Sequence, residues 1–314
     1  MGHTAARGHR HGGHDHHEHG HGRSASYGRA FAVGIALNLV IVVGEVIGGA
    51  ASHSMALVSD AAHNASDVLG LALAWGAALL SRRRPSARRT YGLRRASILA
   101  ALGNAVMLLV ATGGVGWEAI RRLGAPPPVH ARVVIVVAAA AAVANAVSAL
   151  LFAADRKRDL NVGSAFTHLA GDAVIALGVV GSGLVVAATG WSRLDPIVGL
   201  VVSALVLLAT YGVLRRSLDL ALDAVPEGID ADAVRAYLAS LPGVVEVHDL
   251  HIWGMSTTET VLTAHLVMPS MLAHDPCLLL DAERALHDRF HIEHSTLQIE
   301  PSDAAAPCRL ATHA

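Results

Sequence analysis

The sequence predicts an α-helical membrane protein, a bundle of six transmembrane helices followed by a small cytoplasmic α+β domain. Three observations carry this expectation. Of the 314 residues, 53% are hydrophobic and only 16% charged, too apolar for an ordinary soluble protein. Six stretches reach the roughly 20 residues that a helix needs to cross a bilayer. After the sixth, the composition turns polar and acidic. The formal net charge of −1 carries no signature of a nucleic-acid partner. The two cysteines, Cys277 and Cys308, exclude a disulfide framework and a Cys-rich metal site.

The head, residues 1–26, opens "MGHTAARGHRHGGHDHHEHGHG" and has no apolar core, so it does not read as a cleaved signal peptide. It carries His3, His9, His11, His14, His16, His17, His19 and His21 with Asp15 and Glu18. With nothing apolar to bury it is expected to be disordered. Its irregular spacing speaks against a purification tag and for weak, multivalent capture of metal. A transmembrane domain is expected over residues 27–216, with spans near 27–50, 55–81, 97–120, 131–154, 162–190 and 195–215. Only "ASHS" separates the first two, which forces a tight hairpin. "GAPPPV" breaks the chain after the third, and "GWSRLDP" separates the last two.

Lys and Arg set the orientation. The connection between spans two and three has Arg82, Arg83, Arg84, Arg88, Arg89, Arg94 and Arg95. Arg7, Arg10, Arg23 and Arg29 lie in the head and at the start of span one, Arg156, Lys157 and Arg158 follow span four, and Arg215 and Arg216 follow span six. The other side has Arg121, Arg122, Arg132 and Arg193. This bias places both termini in the cytoplasm.

Residues 217–302 are assigned to the cytoplasmic domain, folded from about 227, with a tail over 303–314. "DADAVRAYLASL" is a helix with an Asp near its start. "VVEVHDLHIWGM" and "ETVLTAHLVM" read as strands. "DPCLLLDAERALHDRF" is a second amphipathic helix and "HSTLQIE" a last strand. The order α-β-β-α-β predicts helices on one face of a sheet.

Two copies of His-x-x-x-Asp lie inside the apolar spans: His63 with Asp67 in span two, and His168 with Asp172 in span five. Residues i and i+4 share a helix face, so each pair presents an imidazole beside a carboxylate. Ionisable groups in lipid are costly and mark ion or proton paths. Burying four of them without a ligand would cost several kcal/mol. Two nitrogens and two carboxylates suit tetrahedral Zn²⁺, whereas an all-oxygen set would favour Mg²⁺, Ca²⁺ or Mn²⁺. The unperturbed imidazole pKa near ~6.5 lets protons compete with metal, which is antiport chemistry in outline. Asp60 shares the stripe of His63 and Asp67 and is read as orienting His63 rather than binding metal. Asn38 and Glu45 share one face of span one. Glu45 is either a proton site or a group near the outer surface. Asn104 and Asn145 are expected to hydrogen-bond between helices.

On these residues the chain resembles the cation diffusion facilitator family, in its bacterial zinc-exporting branch. The matching strings are "HSMALVSDAAHNASDVLGLALAW", "RTYGLRRASILAALGN", "LNVGSAFTHLAGDAV", "LDPIVGLVVSALVL", "GVVEVHDLHIWGM" and "HSTLQIE". The resemblance implies a ferredoxin-like cytoplasmic domain, a homodimer in the inner (plasma) membrane, and Zn²⁺/H⁺ exchange across the lipid bilayer. It implies that His63, Asp67, His168 and Asp172 form the transport site, and His at position 63 resembles the zinc-preferring branch. It also implies a regulatory zinc site in the cytoplasmic domain, with His248, His265 and Glu300 the best candidates, His251 and His294 weaker ones, and Gln298 where some members have a ligand. The chain departs from the family at Ser97, where "YGxxRxE" usually supplies a Glu, and at Ala176, where Ser is common. Its "DRKRDLN" connection has no histidines.

The function expected is therefore export of divalent cations, foremost Zn²⁺, against incoming H⁺. The alternative is a membrane-bound zinc sensor that signals through its soluble domain. No apolar span carries an H-E-x-x-H helix for a metalloprotease, and there is no G-x-x-x-x-G-K-[ST] loop for an ATP-driven pump.

Overall fold

The computed structural model describes residues 21–153, 160–269 and 276–302. Most of the histidine-rich head, the basic cluster at 156–158 and the tail at 303–314 lie outside the described residues. Six long helices come first: α1 (His21–Ser52), α2 (Met55–Ser81), α3 (Ala96–Gly124), α4 (Ala131–Phe152), α5 (Leu160–Thr189) and α6 (Leu194–Ala221). They correspond one to one with the expected spans. Even α4, with 22 residues, extends about 33 Å at about 1.5 Å per residue, enough for the bilayer core. Among the described residues, α2 to α6 are long and apolar enough to cross a membrane, and α1 contributes the apolar stretch Ala36–Ser52. The sixth helix runs past its expected end near 215 to Ala221. Hydropathy marks only the lipid-buried part of a helix, whereas the backbone ladder propagates beyond it once nucleated.

Large apolar side chains, among them Val40, Trp75, Val110, Val136, Leu150 and Leu208, point outward from the bundle. In water such a surface would drive aggregation, and against acyl chains it is the stable arrangement. Inside, α4 packs on α5, α3 packs on α6, and α2 touches α1, α3 and α6. Small residues permit the close crossings. A Cβ on Gly199 would meet the Met55 backbone at 3.0 Å, and one on Gly183 would meet Ile135 at 2.9 Å.

The start of α2 is fastened to the start of α6. Ser54 caps α2 by accepting from the Leu57 N–H at 3.2 Å, and its hydroxyl donates to the Asp195 carboxylate. The Met55 N–H donates to Asp195 Oδ2 at 2.5 Å. A carboxylate at a helix N-terminus satisfies orphan N–H groups and complements the helix dipole. One turn on, Ser59 Oγ donates to the Gly199 carbonyl at 2.9 Å. These bonds set the rotation of α2, and hence which of its faces meets the bundle interior.

The C-terminal domain adds α7 (Ala231–Ala239), β1 (Glu246–Gly254), β2 (Thr260–Met268), α8 (Pro276–Phe290) and β3 (His294–Pro301), in the expected α-β-β-α-β order. Asp230 caps α7, accepting from the N–H groups of Asp232 and Ala233 at 3.0 and 3.1 Å. The sheet runs β1-β2-β3, antiparallel in the first pair and parallel in the second. Strand alternation then sorts the side chains of β2. Leu262, Ala264, Leu266 and Met268 join Val234, Leu238, Leu286 and Ile292 in the core under the helices, which leaves His265 on the opposite face.

The domain meets the bundle at the connection between α2 and α3. Arg94 donates to Glu259 at 3.0 Å, Arg95 to Asp223 at 2.6 Å, and the Thr257 N–H to Ser97 Oγ at 3.1 Å. The arginine-rich connection and the C-terminal domain therefore lie on one side of the bundle. Exposed ion pairs contribute about 0–1 kcal/mol each, so these contacts orient the domain rather than fasten it. At the other end, Arg122 donates to the His53 carbonyl at 2.9 Å.

Candidate metal centre

The two His-x-x-x-Asp faces meet. His63 Nε2 lies 3.2 Å from Asp172 Oδ1 and 3.9 Å from Asp67 Oδ2. His168 Nε2 lies 3.1 Å from Asp67 Oδ2 and 3.5 Å from Asp172 Oδ2. The imidazoles stand edge to face with centroids 5.9 Å apart. Each imidazole thus addresses the carboxylate of its own helix and that of the facing helix. One ligand atom each from His63, Asp67 and Asp172 fall within 4.8 Å of one another. Asp172 is 2% exposed, while His168 is half-exposed and forms the open side. The origin of this arrangement is local. One i,i+4 step on each helix aligns a nitrogen with an oxygen, and the Asp195 and Ser59 fastenings turn the α2 pair inward.

Asn38, Glu45 and Asp60 are all buried, and Glu45 is completely so. Its Oε2 accepts from Asn64 Nδ2 at 2.9 Å. Asp60 does not orient His63 through a hydrogen bond as expected: His63 Nδ1 has no partner among the described residues, and the Asp60 carboxyl lies within hydrogen-bonding reach of Glu45 instead. The two residues are three apart on α2, a spacing that places them on one face but a turn apart in height. Asn64 was missed at the sequence level. Its signal was the i+4 step from Asp60, on the stripe already singled out. Ala176 is fully buried and packs with Ile41, Ala141 and Ala142.

A second cluster sits on the free face of the C-terminal sheet. His248 Nε2 is 3.1 Å from Glu300 Oε2, and His265 Nδ1 is 2.8 Å from Glu300 Oε1. The two imidazoles are edge to face at 5.1 Å. One ligand atom from each of the three residues lies within 4.8 Å of the others. Strand register explains this, because His248 is paired with His265, and His265 with Gln298, two residues before Glu300 on the same face. Gln298 supports the cluster by donating to Glu300 Oε1 at 3.0 Å.

Sequence reading also missed Asp249. Its carboxylate lies 3.0 Å from His251 Nε2 and 3.6 Å from His265 Nε2. Asp249 has φ 50° and sits where the β1–β2 register shifts between His248 and His251. That bulge inserts one extra residue and brings His251 to the face of His248. In a regular strand, residues three apart would face opposite ways. The odd spacing of the two histidines was the only trace of it in the sequence. His294 does not join the cluster. It pairs with Val261, four residues from the Gln298 position, and its ring meets Tyr91 edge-on at 6.0 Å.

Comparison with known proteins matches both parts of the chain. The profile of the cation efflux transmembrane domain matches residues 31–220, and that of the cation efflux protein cytoplasmic domain matches 226–302. The zinc transporter ZitB of Escherichia coli is 36% identical over 285 residues, which is 89% of this chain and 89% of that protein. The metal cation efflux system protein CzcD of Cupriavidus metallidurans is 32% identical over 283 residues, 90% of this chain and 88% of that one. A protein of Bacillus subtilis named as a cadmium, cobalt and zinc/H(+)-K(+) antiporter is 30% identical over 260 residues, 82% and 83% of the two chains.

Proposed function

This chain belongs to the cation efflux family, and on that premise we propose that it exports Zn²⁺ from the cytoplasm in exchange for H⁺. Membership makes it a multi-pass membrane transporter of metal cations and not an enzyme. The observation that carries the finer reading is the convergence of His63 and His168 with Asp67 and Asp172 from two helices. Two imidazole nitrogens beside two carboxylates form a borderline donor set, which favours Zn²⁺ over the harder cations. Zinc in the names of relatives supports the same ion.

Proton exchange follows from ligand chemistry. An imidazole must be deprotonated to bind metal and is free to take a proton once the metal leaves. Asn38, Glu45 and Asp60 are proposed as the proton path beside the site, since they line one buried region of α1 and α2. Residues 27–216 are read as the transporting unit and 217–302 as a regulatory and dimerising unit. In the second, His248, His265, Glu300 and Asp249 bind regulatory zinc. The head, residues 1–26, captures metal. Both termini are read as cytoplasmic from the Lys/Arg bias, and the contact of the arginine-rich connection with the C-terminal domain supports that reading.

The test is Zn²⁺ flux into proteoliposomes under an imposed pH gradient, for wild type and His168→Ala. Gradient-dependent flux lost in the variant is expected. A wild type that binds zinc without moving it would favour the sensor instead.

A further inference from the structure

We propose that Glu259, on the turn between β1 and β2, is the carboxylate that receives the metal ion at the cytoplasmic mouth of the path to Asp67 and His63. The inference rests on the export reading above. It begins with the α2 face. At about 100° per residue, Asp67, Gly70, Ala74, Ala78 and Ser81 all fall within an arc of about 80°, which also contains His63. This stripe descends from the metal ligands to the end of the helix, a drop of about 21 Å from Asp67 to Ser81.

A cavity of about 410 Å³ lies against that stripe, lined by Gly70, Ala74 and Ser81 of α2, Ser97 and Asn104 of α3, and Glu259, among others. Six waters at about 30 Å³ each need about 180 Å³, so the space admits a hydrated divalent ion. Its walls are small or carry hydroxyl and amide groups. Among the described residues, Glu259 is the one charged residue in the lining.

The surroundings make that charge consequential. Seven arginines crowd residues 82–95, and their field repels a divalent cation. Glu259 offsets one of them, holding Arg94 at 3.0 Å through Oε1, and Oε2 has no hydrogen bond among the described residues. The turn that carries it is held in place. The Glu259 carbonyl accepts from the Met255 N–H at 2.8 Å, its N–H donates to Ser256 Oγ at 3.0 Å, and the Thr257 N–H reaches Ser97 Oγ at 3.1 Å. The cytoplasmic domain thereby supplies part of the transport path itself.

The test is the zinc dependence of initial flux in proteoliposomes for wild type, Glu259→Gln, Glu259→Asp and Arg94→Gln, at low and high salt. A unit charge about 10 Å from a divalent ion in wet surroundings predicts that Glu259→Gln raises KM about threefold to tenfold with kcat nearly unchanged. Glu259→Asp restores the wild-type KM, Arg94→Gln lowers it, and high salt shrinks every difference. An unchanged KM in Glu259→Gln would overturn the proposal. So would a shift in the same direction for Glu259→Gln and Arg94→Gln, because that marks a mere tie between the domains. Absence of flux in wild type would instead overturn the export reading.

Discussion

The two histidine–carboxylate clusters use the same side chains on different scaffolds. In the membrane, His63 and Asp67 come from α2, and His168 and Asp172 from α5. These two helices pack mainly on other partners, α2 on α1, α3 and α6, and α5 on α4. In the C-terminal domain, His248, His265 and Glu300 come from three strands joined by hydrogen-bond ladders. A relative shift of α2 and α5 would split the first cluster into two His-Asp pairs without breaking any backbone bond. Splitting the second would require tearing the sheet. On this account the helical cluster releases its ion and the sheet cluster holds it. That is why the first suits transport and the second suits sensing.

The contrast breaks first at Asp172. Replacing it with Ala is expected to reduce zinc flux by at least about 100-fold while the protein still inserts and folds. Normal flux in purified, reconstituted Asp172→Ala would end the distinction. Next comes the scaffold of the sheet cluster. Leu266 is fully buried beneath it, and Leu266→Ala should destabilise the C-terminal domain by about 2–5 kcal/mol, read as a lower midpoint in thermal unfolding. A midpoint equal to that of wild type would mean that the sheet does not depend on this core.

Smaller effects sharpen the comparison. Glu300→Ala should remove zinc from the C-terminal domain, measured as bound metal per protomer, yet change flux only about fivefold, the scale of a coupling of ~1 kcal/mol. The smallest effect belongs to His294→Ala, which should leave bound zinc unchanged because its ring faces Tyr91 rather than the cluster. A lost zinc equivalent in that variant would place the ligand set elsewhere.

Much of this was legible in the sequence for a physical reason. Helical periodicity is a local rule, so His63, Asp67, His168 and Asp172 could be paired off from spacing alone, and apolar length marked α2 to its observed ends. Which pair faces which was less legible. It depends on long-range fastenings such as Asp195 to Ser54, which no local rule connects. The sheet cluster was harder still. His248, His265 and Glu300 were named through family resemblance, and the bulge at Asp249 has no sequence code beyond the misfit spacing to His251. Glu259 escaped notice because its importance lies in a contact with Arg94, 165 positions away. His294 misled because a histidine in a strand is read by type, while strand register decides its neighbours.

The most direct measurement is Zn²⁺ flux under an imposed pH gradient for His63→Ala and His248→Ala, reconstituted side by side with wild type. The account predicts gradient-dependent flux in wild type and His248→Ala, and none in His63→Ala. Flux that persists in His63→Ala while His248→Ala is silent would contradict it.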